Sequence, residues 1–188
     1  SQRLIEEEKY EPSQIAVMYR INAQSRALEV ACNRHSTPYQ IVGGLKFYER
    51  REIRDVISYL RIITNPPDDV ALERIVNVPA RGISQKTVDS IRTLARSKGH
   101  SLWEVIAEVD DNPEHLSKYV NPRAIKSLER FSNLIKQLVD SSYHSSPLEL
   151  IDLILERSGY KQLIHDDVER GHERWENILE FRGSADAY

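Results

Sequence analysis

The spacing of apolar residues along this chain changes character near residue 45. Before it, Ile15-Ala16-Val17-Met18-Tyr19 is a short continuous apolar run with a β-branched bias, preceded by Pro12-Ser13 and followed by polar residues. That pattern predicts a buried strand. From Ala23 to Arg34, Ala27, Leu28, Ala31 and Cys32 recur at helical spacing. Pro38-Tyr39-Gln40-Ile41-Val42 then returns to strand character and stops at Gly43-Gly44. Strand, helix and strand within roughly thirty residues is the size of a βαβ unit, which favours parallel pairing.

Beyond the glycine pair the pattern is helical throughout. Between Glu52 and Ile63, the residues Ile53, Val56, Ile57, Leu60 and Ile63 share one face, and Asn65-Pro66-Pro67 ends that helix. Asp68-Asp69 can cap a helix through Val76, and Ser84 one from about Gln85 to Arg96, closed by Lys98-Gly99. Ser101 starts a helix with Leu102, Val105 and Ile106, and Asn121-Pro122 opens a longer one with Ile125, Leu128, Leu134, Ile135 and Leu138. Ser146-Pro147 starts a helix through Leu155, ended by Ser158-Gly159, and Trp175, Ile178, Leu179 and Phe181 mark a last one from Glu173 to Phe181. The expected fold is therefore mainly α: a short strand-helix-strand piece, then an all-helical subdomain.

Composition narrows the class. The chain has 188 residues, 40% hydrophobic and 29% charged, ordinary for a globular protein and unlike a disordered one. No apolar run approaches the roughly 20 residues of a membrane helix, and no apolar signal core stands at the start. Cys32 is the only cysteine, which excludes an internal disulfide and a multi-cysteine metal site and fits a cytoplasmic setting. The six histidines lack ligand spacing, so no metal is expected. The first residue is not Met and the only Met is Met18, so the chain reads as a piece of something longer. None of the seven glycines builds G-x-x-x-x-G-K-[ST] or G-x-G-x-x-G, so no nucleotide phosphate loop is expected in it.

The net charge of -3 hides an asymmetry. Residues 18–54 carry +4, residues 71–100 carry +4, and residues 147–188 carry -5. A basic front and an acidic back suit either solvated helix faces or one side turned toward a polyanion.

Two segments could hold that polyanion. Arg20 and Asn22 follow the first predicted strand, where open α/β sheets bind ligands, and two-residue spacing in extended backbone projects them to one side. An Arg beside an amide suits a phosphate and a base or sugar edge. The second is Val76-Asn77-Val78-Pro79-Ala80-Arg81-Gly82-Ile83-Ser84-Gln85-Lys86-Thr87-Val88, a helix-hairpin-helix-like pattern. Gly82 allows close approach, Ser84 begins a helix whose free N–H groups favour anions, and Arg81, Lys86 and Thr87 can add phosphate contacts. The ordinary alternatives are a capped strand-to-helix loop and a capped helix turn. Gly43 and Gly44 sit where the two patterns meet, as a hinge would, and Phe47 and Tyr48 beside them suit packing.

The residues also carry a resemblance. Ile15-Ala16-Val17-Met18-Tyr19-Arg20-Ile21-Asn22-Ala23-Gln24-Ser25-Arg26 resembles the start of the second motor half of UvrD/PcrA-type superfamily 1 DNA helicases. So does Pro38-Tyr39-Gln40-Ile41-Val42-Gly43-Gly44-Leu45-Lys46-Phe47-Tyr48 with Arg51-Glu52-Ile53-Arg54-Asp55. Asn77-Val78-Pro79-Ala80-Arg81-Gly82-Ile83 is similar to the duplex-gripping turn of that family's 2B subdomain, and Trp175-Glu176-Asn177-Ile178 to a segment near its end. Residues 100–165 match only as helical filler.

The resemblance implies residues 1–45 as a fragment of the RecA-like 2A motor domain and 46–188 as the helical 2B subdomain. It implies single-stranded DNA contact at Arg20 and Asn22, and duplex contact at Arg81 to Ser84. The family usually has Gly-Ile-Gly where this chain has Gly82-Ile83-Ser84, a change that keeps a cap but adds a Cβ beside the phosphate. The implied parent is an ATP-dependent 3′→5′ DNA helicase of repair or replication. It would use ATP and Mg²⁺, with its other domains in cis and a repair-protein partner. The chain alone lacks the Walker motifs and is expected to be inactive. The competing reading is a helical protein-interaction module whose acidic half docks a partner, with no DNA affinity. A free-standing helix-hairpin-helix domain would leave the strand-helix-strand opening unexplained.

Overall fold

The computed structural model describes residues 4–5, 7, 10–42, 46–110 and 112–185. Ten α-helices order the described residues: α1 Ser25–Arg34, α2 Arg51–Thr64, α3 Asp69–Ile75, α4 Gln85–Lys98, α5 Leu102–Ala107, α6 Pro113–Leu116, α7 Pro122–Ser142, α8 Pro147–Arg157, α9 Tyr160–His165 and α10 Gly171–Ala185. Short 3₁₀ turns at Pro12–Gln14, Asn22–Gln24 and Phe47–Glu49 join the early elements. No helix among the described residues is long and apolar enough to cross a membrane.

The helix starts follow their capping chemistry. Asp68, Ser84, Ser101, Asn121 and Ser146 each accept a hydrogen bond from the backbone N–H three residues on. Glu104 and Glu149 reciprocate to their Ser residues as capping boxes. Pro122 and Pro147 occupy first helical positions, where the missing N–H costs nothing. The short helices α6 and α9 have no counterpart in the periodicity, which one or two turns cannot establish. At the start of α10, Gly171 is required by close approach: a Cβ there would strike the Ile164 carbonyl oxygen of α9.

Two apolar cores share α2 as their spine. Tyr59, Ile62 and Ile63 of α2 pack with α3, α4, α5, α7 and Leu150 and Ile154 of α8. One turn earlier, Ile53 and Val56 pack with Phe47, Ile151, Leu155, Tyr160, Ile164 and Ile178. A helix touching two clusters along its length cannot slide without disturbing both.

The strand-helix-strand piece is corrected by the structure. Residues 15–19 and 38–42 form no strands. A strand exists only through a ladder of N–H and C=O pairs with a neighbour, and these two runs do not pair with each other. Several of their apolar side chains stay outside: Val17 is 58% exposed, Met18 94% and Val42 89%. The helix between them forms as expected but faces the other way. Its buried residues are Ser25 and Glu29, while Ala27, Val30 and Ala31 are exposed. Gly43 and Gly44, the expected hinge, lie outside the described residues.

The inverted face has a cause in α2 and α10. Arg50, 7% exposed, donates from Nη1 to Asn177 Oδ1 at 2.6 Å and from Nη2 to Ser25 Oγ at 2.7 Å. Ser25 in turn donates to Glu29 Oε1 at 2.9 Å, and Glu29 accepts the Phe47 N–H at 3.1 Å. Asn177 Nδ2 donates to Glu52 Oε1 at 2.7 Å. The network joins residues far apart in sequence, and each of these polar side chains is buried. Removing Arg50 leaves buried Glu29 and Glu52 without the cation of their network and takes a donor from Ser25 and Asn177. Arg50→Ala is therefore expected to lower unfolding free energy by about 3 kcal/mol, measured as a reduced urea midpoint at unchanged slope; a loss below about 1 kcal/mol would show the network to be ornamental.

Candidate nucleic-acid interface

The turn between α3 and α4 is built from inside. Asn77 Oδ1 accepts two backbone N–H groups, from Arg81 at 2.7 Å and Ile83 at 3.2 Å, closing the chain into a loop. Ile83 plugs the loop into the larger core. Gly82 stands at φ +78, a left-handed conformation that a side chain would strain. Ser84 adopts ordinary extended backbone, and its hydroxyl accepts the Thr87 N–H at 3.2 Å and sits 3.0 Å from the Thr87 hydroxyl.

Arg81 is a strut of this turn. Its Nη1 donates to the carbonyls of Ile75 at 3.1 Å and Pro79 at 3.0 Å. Its Nη2 donates to the Tyr59 hydroxyl at 2.7 Å and the Ser158 carbonyl at 3.2 Å. The guanidinium also lies 5.5 Å from the centre of the Phe131 ring. Tyr59 completes the chain by donating to the Val78 carbonyl at 2.6 Å. The turn, α2, α7 and the end of α8 are thus tied together by one side chain whose donors point into the protein.

The sequence-predicted duplex residues accordingly separate into two kinds. Gly82, Ser84 and Lys86 are exposed, whereas Ile83 and Thr87 are buried and Arg81 is half-buried. Asn77 and Tyr59 were not among the expected residues. An Asn four residues before an Arg-Gly turn is a signal for an Asx-type closure; nothing local marks Tyr59.

Arg20 and Asn22 occupy a different place. Both are exposed beside the 3₁₀ turn Asn22–Gln24, where the Arg20 and Ile21 N–H groups donate to Gln24 Oε1 at 3.1 and 3.4 Å. Asn22 Nδ2 donates to Glu173 Oε1 of α10, and Arg26 pairs with Glu180 of the same helix at 2.9 Å. The Arg20–Asn22 segment therefore rests on α10 through Asn22 and Arg26, while the hairpin sits between α2, α7 and α8.

Asp55 is a buried carboxylate held by one hydrogen bond and two ion pairs. Arg74 Nε lies 2.7 Å from its Oδ1 as an ion pair without hydrogen-bond alignment, Arg51 Nε is 3.8 Å from Oδ2, and the Tyr160 hydroxyl donates to Oδ2 at 2.6 Å. Burial, reinforced by the Asp55 charge, pushes the Tyr160 phenol well above its ordinary value. Burial raises Tyr59 as well, against the opposing pull of the Arg81 charge. No group of three or more His, Cys, Asp or Glu side chains among the described residues is placed to hold a metal ion.

The chain belongs to the UvrD-like helicase C-terminal domain family, whose model matches residues 2–181. It is 41% identical over 172 residues to the ATP-dependent DNA helicase PcrA of Staphylococcus epidermidis, covering 90% of this chain and 22% of that protein. The PcrA helicase of Staphylococcus aureus is 39% identical over 168 residues, 89% of this chain and again 22% of the relative. The chain thus spans about a fifth of the length of the curated relatives it matches.

Arg81→Ala removes four hydrogen bonds, to the Tyr59 hydroxyl and the carbonyls of Ile75, Pro79 and Ser158, and is expected to cost about 2 kcal/mol of stability, with Arg81→Lys failing to restore it because one ammonium cannot span the fork. Full recovery by Lys in a urea titration would contradict the strut. The two phenols carry a pH signature. Their folded values are raised, so their contribution is fully present below the unfolded value near 10 and is lost as pH rises through the folded values. Stability should fall on the alkaline side of about pH 10, and Tyr160→Phe should flatten that fall; an unchanged alkaline limb would show that Tyr160 ionises freely.

Proposed function

We propose that this chain is the DNA-holding part of an ATP-dependent 3′→5′ DNA helicase, with residues 46–188 as a 2B subdomain gripping duplex and residues 1–45 as the opening of the 2A motor domain. The observation that carries the reading is the braced hairpin. Its exposed segment, Gly82 and Ser84 with Lys86 one turn on, is held from behind by Asn77 and Arg81, so it meets a partner without reordering. A backbone presented at a helix start with a neighbouring cation suits a sugar-phosphate chain and reads no sequence.

Within this reading Arg81 positions the grip, and Lys86 and the backbone make it. Arg20, exposed beside Asn22, would meet the single strand. ATP and Mg²⁺ would be handled by the remaining domains, in keeping with the lack of a phosphate loop here. The names of the relatives support DNA as the substrate and ATP as the fuel. The acidic stretch of residues 147–188 leaves room for a protein partner, but the hairpin is what a pure interaction module does not need.

The chain should bind a forked duplex weakly and with strong salt dependence. Lys86→Ala should reduce the slope of log affinity against log salt by about 0.9, one phosphate contact, without changing thermal stability. Arg20→Ala should weaken single-strand binding selectively. Binding that ignored salt and Lys86 alike would remove the hairpin from the DNA contact.

A further inference from the structure

Helix α7 carries a row of cations that the hairpin reading does not use. On this helix Ala124, Ile125, Leu128, Phe131, Ile135 and Leu138 are buried. Ser127 lies at one margin of that buried arc, and a Cβ built on Gly82 would stand 3.7 Å from its hydroxyl. At 3.6 residues per turn, Arg123 and Arg130 fall within about 60° of Ser127 around the helix axis, and Lys126 about 40° beyond Arg130. All three are exposed, and none has an ion-pair partner among the described residues. The Lys136–Asp110 pair at 2.7 Å turns to the other side of the helix, and Glu129, the acidic group of the same stretch, lies about 60° beyond Lys126.

Seven residues of helix place Arg123 and Arg130 roughly 10 Å apart. Duplex DNA presents about one charge per 1.7 Å of its axis, so such a row faces several phosphates at once. Lys86 stands beyond the turn, in the first turn of α4. The geometry points to a duplex-backbone track that runs from Lys86 past the Gly82 turn and along Arg123, Lys126 and Arg130 of α7. This rests on the duplex-holding reading above and extends it to a helix that the family resemblance left as filler. An acidic peptide could also neutralise three cations, but continuity with the hairpin favours the duplex.

The test compares the chain with its triple variant Arg123→Gln, Lys126→Gln, Arg130→Gln by anisotropy, on a duplex and on a single strand, across about 50 to 200 mM salt. A control variant, Arg34→Gln, Lys161→Gln, Arg170→Gln, removes the same formal charge elsewhere. The α7 variant should bind duplex at least tenfold more weakly, with a salt slope smaller by about two to three, at unchanged single-strand affinity and thermal midpoint. Unaltered duplex affinity and slope in the α7 variant would sink the track and leave the hairpin standing. An equal loss in the control would do the same, because the effect would then be net charge. If the unmodified chain shows no salt-dependent duplex binding, the duplex-holding reading fails first and the track with it.

Discussion

A guanidinium taken out of water must be given back its hydrogen-bond partners, and the placement of Arg50 decides how the two parts of this chain meet. Its donors reach Ser25 on one side and Asn177 on the other, and those residues carry Glu29 and Glu52. The Phe47 ring lies 5.2 Å from Arg50 and 5.7 Å from Arg26, so even the apolar neighbour is a partner for cations. Apolar contacts tolerate small slips; a fork of directed donors does not. This explains why α1 lies with its polar side inward. The free energy lost by exposing Ala27 and Ala31 is small beside that of leaving a buried charge unpaired.

The hairpin repeats the principle with neutral partners. Among the described residues Arg81 makes no carboxylate pair; it donates to carbonyls and a phenol, and its charge remains to bias the turn toward an anion. Bracing the loop from the back leaves the front, at Gly82 and Ser84, both open and ordered. A grip built this way loses little conformational entropy on meeting a phosphate chain.

Much of this could be read from the sequence, and the failures have physical reasons. Helices α2, α3, α4, α5, α7, α8 and α10 announce themselves by apolar periodicity and by Asp68, Ser84, Ser101, Asn121 and Ser146, because caps are local chemistry. Strands are not local. Ile15 to Tyr19 has strand composition, but composition cannot supply the neighbour that a ladder requires. The Ser25 and Glu29 side of α1 was unreadable for the same reason, since its partner Arg50 lies 25 residues from Ser25 and Asn177 a further 127. At the hairpin the residue types were legible and their directions were not. An Arg next to a Gly is equally suited to a phosphate outside and to carbonyls inside; only the position of Tyr59 and Ser158 decides between them.

The two proposed DNA contacts are mechanically joined through α10. Asn22 and Arg26 rest on Glu173 and Glu180, and between those two residues on the same helix Asn177 binds both Arg50 and Glu52. Glu52 opens α2, whose Tyr59 seven residues on receives Arg81. A displacement of α10 against α2 therefore cannot occur without breaking the Arg50 fork, and a displacement of the Asn22 segment against α10 must break the Glu173 and Glu180 contacts. The Asn22–Glu173 contact is exposed and the Arg26–Glu180 pair part-buried, so both are weaker than the buried contacts of Arg50. Because Ser25 follows Asn22 by three residues and is itself held by Arg50, the opening segment, α2 and α10 are locked at one buried fork.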